Sequence, residues 1–225
     1  MTKGFDAPTP VDAVIDVSHH NGRVDWKAVA ADGIALAFLK AVEGVNVRDP
    51  MFLANLAGAQ TAGILTIAYD FLRPASEGGA PAMFFAKVAG LVTGTPYMLD
   101  FEGRASQTAS PQIVEEIGLR LTEITERKPV GYWGDERIPG TTPGRPTTEM
   151  ETWDRFIPRY PHEPAPSFAS LPPSAVAKLP MKGARFVQYS RTGRVAGISG
   201  NVDRSVWIGT LDQLKTWHAT GQLLA

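Results

Sequence analysis

Two carboxylic acids stand one residue apart in Tyr97-Met98-Leu99-Asp100-Phe101-Glu102-Gly103. The flanking residues alternate as in a strand, and a strand sends successive side chains to opposite faces. Leu99 and Phe101 then share one face, and Asp100 and Glu102 share the other with their α-carbons about 6–7 Å apart. Two carboxyls this close resist double ionisation, so one keeps its proton near neutral pH. Cleavage of a glycosidic bond needs that pairing: a proton donor at the leaving oxygen, and negative charge or a nucleophile beside the developing oxocarbenium. Glu102 has the longer side chain and lies nearer the strand end before Gly103, so it is the expected acid/base. A solvated pair of carboxylates or a cation site would give the same local pattern.

Other acids sit at the ends of other apolar runs. Asp16 closes Ala13–Asp16, Glu43 follows Ile34–Lys40, and Asp203 opens Val202–Val206. In a barrel the first and last strands are neighbours, which brings Asp16 and Asp203 to the mouth that holds Asp100 and Glu102. Several acids gathered at one mouth are costly to stability, and such a cluster points to a use.

The elements that must position these acids alternate. Strands are expected at Ala13–Asp16, Ile34–Lys40, Ile64–Phe71, Pro96–Glu102, Pro129–Trp133, Trp153–Ile157, Arg185–Ser190 and Val202–Val206. Helix starts are marked by Asp49-Pro50, by Ser110-Pro111 and by a capping box of Thr210 with Gln213. Strand–helix alternation is the pattern of a parallel sheet covered by helices. It is regular to about Trp133; beyond that, 138–148 and 161–180 are rich in Pro, Gly, Ser and Thr and read as long loops. The expectation is an irregular TIM-like barrel that has lost helices in its second half. One domain over 13–225 follows an N-terminal extension, 1–12.

Bulk composition agrees. The 225 residues are 44% hydrophobic, enough for a barrel-sized core. With 22 basic and 23 acidic residues there is no basic excess of the kind nucleic-acid binding requires. No cysteine is present, which excludes disulfides and thiolate chemistry. Residues 1–12 do not read as a Sec signal, and no apolar run is long enough for a membrane span. His19 and His20 lie beside Asp16 but lack a third ligand at suitable spacing, so no metal and no cofactor is expected. Trp133, Tyr160 and Tyr189 lie at or just beyond strand ends. Their faces could stack on sugar rings or pack in the core. Trp26 and Trp217 are expected in the core.

Taken together and in order, these blocks resemble glycoside hydrolase family 25, the Chalaropsis-type muramidases that include many phage endolysins. The resemblance runs over about residues 13–212. It is carried by IDVSHHNG at 15–22, VDWKAV at 24–29, FLKAVEG at 38–44, DPMF at 49–52, AGILTIAYDF at 62–71 and MLDFEG at 98–103, then by WDRFIPRY at 153–160, VQYS at 187–190 and GISGNVD at 197–203. It implies a barrel of eight strands with about five covering helices. The implied activity is hydrolysis, with retention, of the β-1,4 bond from N-acetylmuramic acid to N-acetylglucosamine in peptidoglycan. By the same resemblance Glu102 is the proton donor, and Asp100, Asp16 and Asp203 match the other active-site acids. Tyr69 matches a sugar-site tyrosine, and Glu43, Trp133, Tyr160, Gln188 and Tyr189 are further candidates for substrate binding. Whether Asp100 attacks directly or orients the substrate's acetamido group is left open. A sugar-binding barrel without turnover is the alternative, and the intact acid pair favours the enzyme.

The chain departs from the family's usual pattern at three places. Asp70 stands where Tyr-His-Phe is usual, and would shift the pH profile or face outward and pair with a base. Val187 replaces a Trp, and Arg204-Ser205 replaces an apolar-Asn pair. The basic stretch Lys182–Arg204 would attract anionic wall polymers or form a solvated rim. The expected partner is the peptidoglycan glycan strand, and the expected state a monomer. Made in the cytoplasm, the protein would reach the wall through a phage-type membrane lesion or by secretion as an effector.

Overall fold

The computed structural model describes residues 10–75, 77–102, 108–133 and 145–222. Gly103, most of the N-terminal extension and most of the loop expected at 138–148 lie outside them. In chain order the elements are β1 Pro10–Val17, α1 Trp26–Ala31, β2 Leu36–Glu43, β3 Val47–Arg48, α2 Phe52–Thr61, β4 Leu65–Phe71, α3 Gly79–Ala89, β5 Tyr97–Phe101, α4 Pro111–Thr125, β6 Val130–Trp133, β7 Asp154–Pro158, α5 Pro173–Val176, β8 Phe186–Gly193, β9 Val202–Ile208 and α6 Leu211–Thr220.

Eight strands close into a barrel in the order β1-β9-β8-β7-β6-β5-β4-β2, with β2 returning to β1 and the short β3 hung on β2. From β1 through β2 and β4–β8 the pairings are parallel, but β9 runs antiparallel to both β8 and β1. The sheet is therefore mixed, where strand–helix alternation alone predicts a parallel one. The reason is local: only the short 194–201 connection separates β8 from β9, and a parallel crossover needs a dozen or more residues. α1–α4 and α6 cover the barrel, and α5 is a single turn between β7 and β8.

The caps follow the sequence signals in part. Ser110 accepts from Ile113 N–H with Pro111 in the first turn of α4, and Thr210 with Gln213 closes the capping box of α6. Asp49 is not the cap of α2, which starts at Phe52; its carboxylate instead takes Met51 N–H together with the backbone N–H and Nδ1 of His19. β1 starts at Pro10, earlier than the alternation placed it, because Asp12 has partners. Asp12 accepts from Arg204, Tyr189 and Phe168 N–H, tying β1 to β8 and β9. That pairing also accounts for Arg204 on the outer face of β9.

The lumen is layered. Its lower part is packed with Phe38, Phe156, Phe186 and Trp207, and Trp217 of α6 closes it from below, 5.4 Å from Trp207 and 5.3 Å from Phe186 by ring centroids. Trp217 Nε1 donates to Asp154, and Arg127 caps the last carbonyls of α6. Outside the wall, Leu99, Phe101, Ile117, Leu121, Trp133 and Trp153 fill the space beneath the helices. Trp26 and Trp217 are core, as expected. Among the described residues no helix is long and apolar enough to cross a membrane.

Candidate active site

Above the aromatic plug the lumen opens into a groove of about 300 Å³ at the end where the parallel strands finish. Asp16 from β1, Glu43 from β2, Tyr69 from β4, Asp100 and Glu102 from the end of β5, Gln188 from β8 and Asp203 from β9 all line it. Alternation along β5 does what its sequence promises. Met98, Asp100 and Glu102 face the groove, and Leu99 and Phe101 face the helices. Asp16 and Asp203 are paired residues on β1 and β9. Asp203 opens its strand, so only the antiparallel sense of β9 delivers it to the mouth where β1 and β5 end.

Burial dominates the electrostatics. Asp100 is pushed well above the usual carboxylate range by burial, then by the charges of Glu102 and Asp16, with Lys40 opposing. Glu102 is raised by burial against the pull of Arg191 and Lys40. The two titrate as a pair, and the proton they retain belongs to both. Asp203 is raised to about 6 by burial and by Glu102. Asp16 is raised well above its usual value by burial and Asp203, against a hydrogen bond from Gln188. Asp100 Oδ1 is buried with no hydrogen-bond partner among the described residues, a polar atom left for something that enters the groove. Tyr69 stays a phenol, its hydroxyl raised by burial and by Asp100, Asp16 and Asp203.

One wall is cationic. Lys40 Nζ lies 2.6 Å from Glu43 Oε2 and Arg73 Nη2 lies 2.6 Å from Glu43 Oε1. Both cations sit over the Phe71 ring, at 4.7 and 4.8 Å from its centroid. Glu43 is held below its usual range: burial works against its charge, and hydrogen bonds from Lys40 and Arg73 outweigh it. On the opposite rim Arg191 lies over Tyr160 at 4.5 Å and pairs with Glu163.

The remaining sequence candidates divide. Tyr160 is not in the lining but reaches it through its hydroxyl, which donates to Gln188 Oε1. Trp133 and Tyr189 are corrected: both point out of the barrel. Trp133 packs edge-on against Trp153, and Tyr189 donates to Asp12 at 2.8 Å. Tyr132 and Gln188 take the inner face, so their neighbours in sequence must take the outer one. Tyr132, Lys40, Arg73, Phe71, Met98 and Ser18 also line the groove and were missed, and His20, which the sequence sets beside Asp16, lines it too. Alternation could have found Tyr132 and Lys40, since each is in step with an inward residue of its own strand. Asp70 is fully buried on the outer face of β4, accepts from Gly44 N–H at 3.2 Å and has no cation within ion-pair distance among the described residues. Of the alternatives the sequence offers for Asp70, the outward position holds, but the pairing with a base does not. Burial raises it to about 8 despite that hydrogen bond and Lys40.

A groove with paired acids that hold a proton, a buried unpartnered carboxylate oxygen and phenol and cation donors on its walls can protonate a leaving oxygen and stabilise positive charge beside it. The sequence profile of Glycosyl hydrolases family 25 matches residues 15–198. Lysozyme M1 of Streptomyces globisporus is 34% identical over 215 residues, covering 89% of this chain and 69% of that protein. Among solved structures, a bacterial lysozyme from Streptomyces coelicolor superposes with a TM-score of 0.71 at 29% identity, over 92% of this chain and 96% of that one. A family 25 lysozyme from Aspergillus fumigatus has the same fold, with a TM-score of 0.73 at 24% identity, over 95% of this chain and 100% of that one.

Proposed function

From the premise that the chain belongs to glycosyl hydrolase family 25 and is a lysozyme-type glycoside hydrolase, we propose that it is an N-acetylmuramidase. It cuts the β-1,4 bond from N-acetylmuramic acid to N-acetylglucosamine in peptidoglycan glycan strands. The observation that carries this reading is the meeting of Asp16, Asp100, Glu102 and Asp203 from three parts of the chain in one groove.

In this reading Glu102 passes the proton of the Asp100–Glu102 pair to the glycosidic oxygen. Asp100 then faces the developing oxocarbenium, as nucleophile or as the group that orients the substrate's acetamido oxygen. The same Glu102, now a base, takes a proton from the water that completes hydrolysis, and the configuration is retained. Tyr69 and Tyr132 border the reacting sugar, and the Lys40–Glu43–Arg73 cluster meets the polar substituents along one wall. The site of action is the cell wall.

Purified walls supply the test. Wild type should clear turbidity and release reducing ends that carry muramic acid by mass spectrometry, with the β-anomer seen first by proton NMR. Glu102→Gln should lower the rate by on the order of 10²-fold or more. Glucosamine at the new reducing ends would refute the bond assignment. Equal rates for wild type and Glu102→Gln would refute the acid.

A further inference from the structure

Gln188 sits between two kinds of neighbour. On one side are two phenols: Tyr132 donates to its Oε1 at 2.9 Å, and Tyr160 donates to the same oxygen. On the other side its Nε2 donates to Asp16 Oδ2 at 3.0 Å. The residue is 4% exposed, so each of these contacts is made away from bulk water.

The two ends of an amide differ only in donor and acceptor character, and the neighbours decide which way it points. Both phenols donate to the amide oxygen, so the amide nitrogen faces Asp16 and donates to a carboxylate oxygen there. Both phenols stay protonated, because burial pushes each above the usual tyrosine range. Each therefore has a proton to give, and two donors on one oxygen hold the amide against rotation. Turned over, the amide would present its oxygen to Asp16, and that contact is favourable only if Asp16 carries a proton. The hydroxyl directions of two tyrosines and the protonation of an aspartate that neither tyrosine bonds are thus one linked arrangement.

Asp16 needs such an anchor. It faces Asp203 on β9, with Glu102 and Asp100 on β5 and the Tyr69 hydroxyl on β4 also acting on it. Two cations act on this cluster, and both are committed elsewhere: Lys40 pulls on Asp100 and Glu102 but pairs with Glu43, and Arg191 on β8 pulls on Glu102 and Asp203 but pairs with Glu163. The charges that act most strongly on Asp16 itself, Asp203 and Glu102, are both negative, and among its main influences the amide N–H is the one that favours its ionised form.

We propose that Gln188 is a positioning residue whose amide, fixed by the Tyr132 and Tyr160 hydroxyls, holds Asp16 as an oriented hydrogen-bond acceptor at the mouth of the groove. This rests on the muramidase reading for its consequence in catalysis, but the relay itself is a property of the unliganded protein. Gln188 and the tyrosines act through Asp16, which offers its other oxygen to the sugar.

The test is a carbon-13 NMR titration of the aspartate carboxyls in the full chain, with the Asp16 signal assigned by its loss in Asp16→Asn. Gln188→Glu replaces the donor with a second carboxyl, and the Asp16 titration should move up by about one pH unit or more. The Tyr132→Phe/Tyr160→Phe double variant leaves the amide free to turn, and the titration should move the same way by a smaller step. Each single Tyr→Phe variant should do less than half of that, since one hydroxyl still fixes the oxygen. If Gln188→Glu does not fold, the double tyrosine variant carries the test alone, because neither tyrosine hydrogen-bonds Asp16 and a space-filling role would leave its titration in place. An unchanged Asp16 titration in the double variant overturns the proposal. On purified walls, the acidic limb of kcat/KM should move upward in step with the NMR value. A moved titration in a protein that releases no reducing ends would sustain the relay and sink the muramidase reading instead.

Discussion

Replacing Asp70 by asparagine should make the protein more stable, by an amount that grows as the pH rises towards 8. Asp70 is fully buried, with Oδ1 on Gly44 N–H and Oδ2 without a partner among the described residues. Its folded pKa is raised by burial to about 8, against about 3.9 for an unfolded aspartate. The folded protein thus binds more protons than the unfolded chain throughout that window, and stability must fall as pH rises through it. The neutral carboxyl's contribution is fully present below about pH 4 and gone above about pH 8. Four units at ~1.4 kcal/mol each put the whole loss on the order of 5 kcal/mol, with ~4 kcal/mol of it incurred by pH 7. Asparagine has the shape of the protonated acid and keeps the Gly44 contact, but nothing titrates. Allowing ~1 kcal/mol for a buried amide N–H without an acceptor, Asp70→Asn should gain about 2–3 kcal/mol at pH 7. For a chain of this size that is roughly 5–10 °C in Tm. Thermal unfolding of both proteins between pH 4.5 and 8.5 would show the difference opening steadily with pH. The competing effect is Lys40, whose charge favours ionised Asp70. If Lys40 wins, Asp70 is an anion at neutral pH and the substitution destabilises instead. A Tm difference that is flat with pH, or of the opposite sign, would refute the argument.

Three further outcomes follow from other contacts. Asp203→Asn removes the largest like charge acting on Asp16, so Asp16 should ionise at lower pH, a downward shift visible in the same carboxyl titration. Arg204→Met leaves the Asp12 carboxylate without its cation, with only Tyr189 and Phe168 N–H donating to it; Asp12 is 22% exposed and the Arg204 side chain 8%, so urea unfolding should register a loss of about 2–4 kcal/mol, short of a fully buried pair because water reaches Asp12. Gly131→Ala would set a Cβ 1.6 Å from Cζ3 of Trp133, an overlap that only movement of the indole or the strand relieves, and urea unfolding should show a loss of about 3 kcal/mol or more.

What the sequence disclosed was periodic, and what it concealed was pairing. The alternation in 97–102 is enough to put Asp100 and Glu102 on one face, because a strand's two-residue repeat allows no other result once Leu99 and Phe101 face the helices. The same rule was available for Tyr132-Trp133 and for Gln188-Tyr189. The aromatic faces of Trp133 and Tyr189 suggest sugar stacking, but both pack outside the wall. Chemistry of type misled where chemistry of position would have served. Asp12 and Arg204 could not be matched from sequence at all. They lie at opposite ends of the chain, and only closure of the barrel between β1 and β9 makes them neighbours.

That closure is also what assembles the groove. In a barrel of parallel strands alone, a residue at the start of the last strand lies at the end opposite the mouth. Asp203 would then be a strand's length from Asp16 and buried near the aromatic plug without a partner. Reversing β9 puts Asp203 beside Asp16, and puts Trp207, at the other end of the same strand, against Trp217 beneath the lumen. One antiparallel strand therefore serves both ends of the barrel. It supplies an acid to the mouth and an indole to the plug, and the short 194–201 connection is what obliges it to run that way. Lengthening that connection would not by itself reverse the strand, since Trp207 inside the plug and Arg204 on Asp12 both depend on the present direction. The direction of β9 is thus held by packing at one end, by an ion pair on the outer face and by chain length. The cost of collecting like charges at the mouth is carried by that scaffold, well away from the acids themselves.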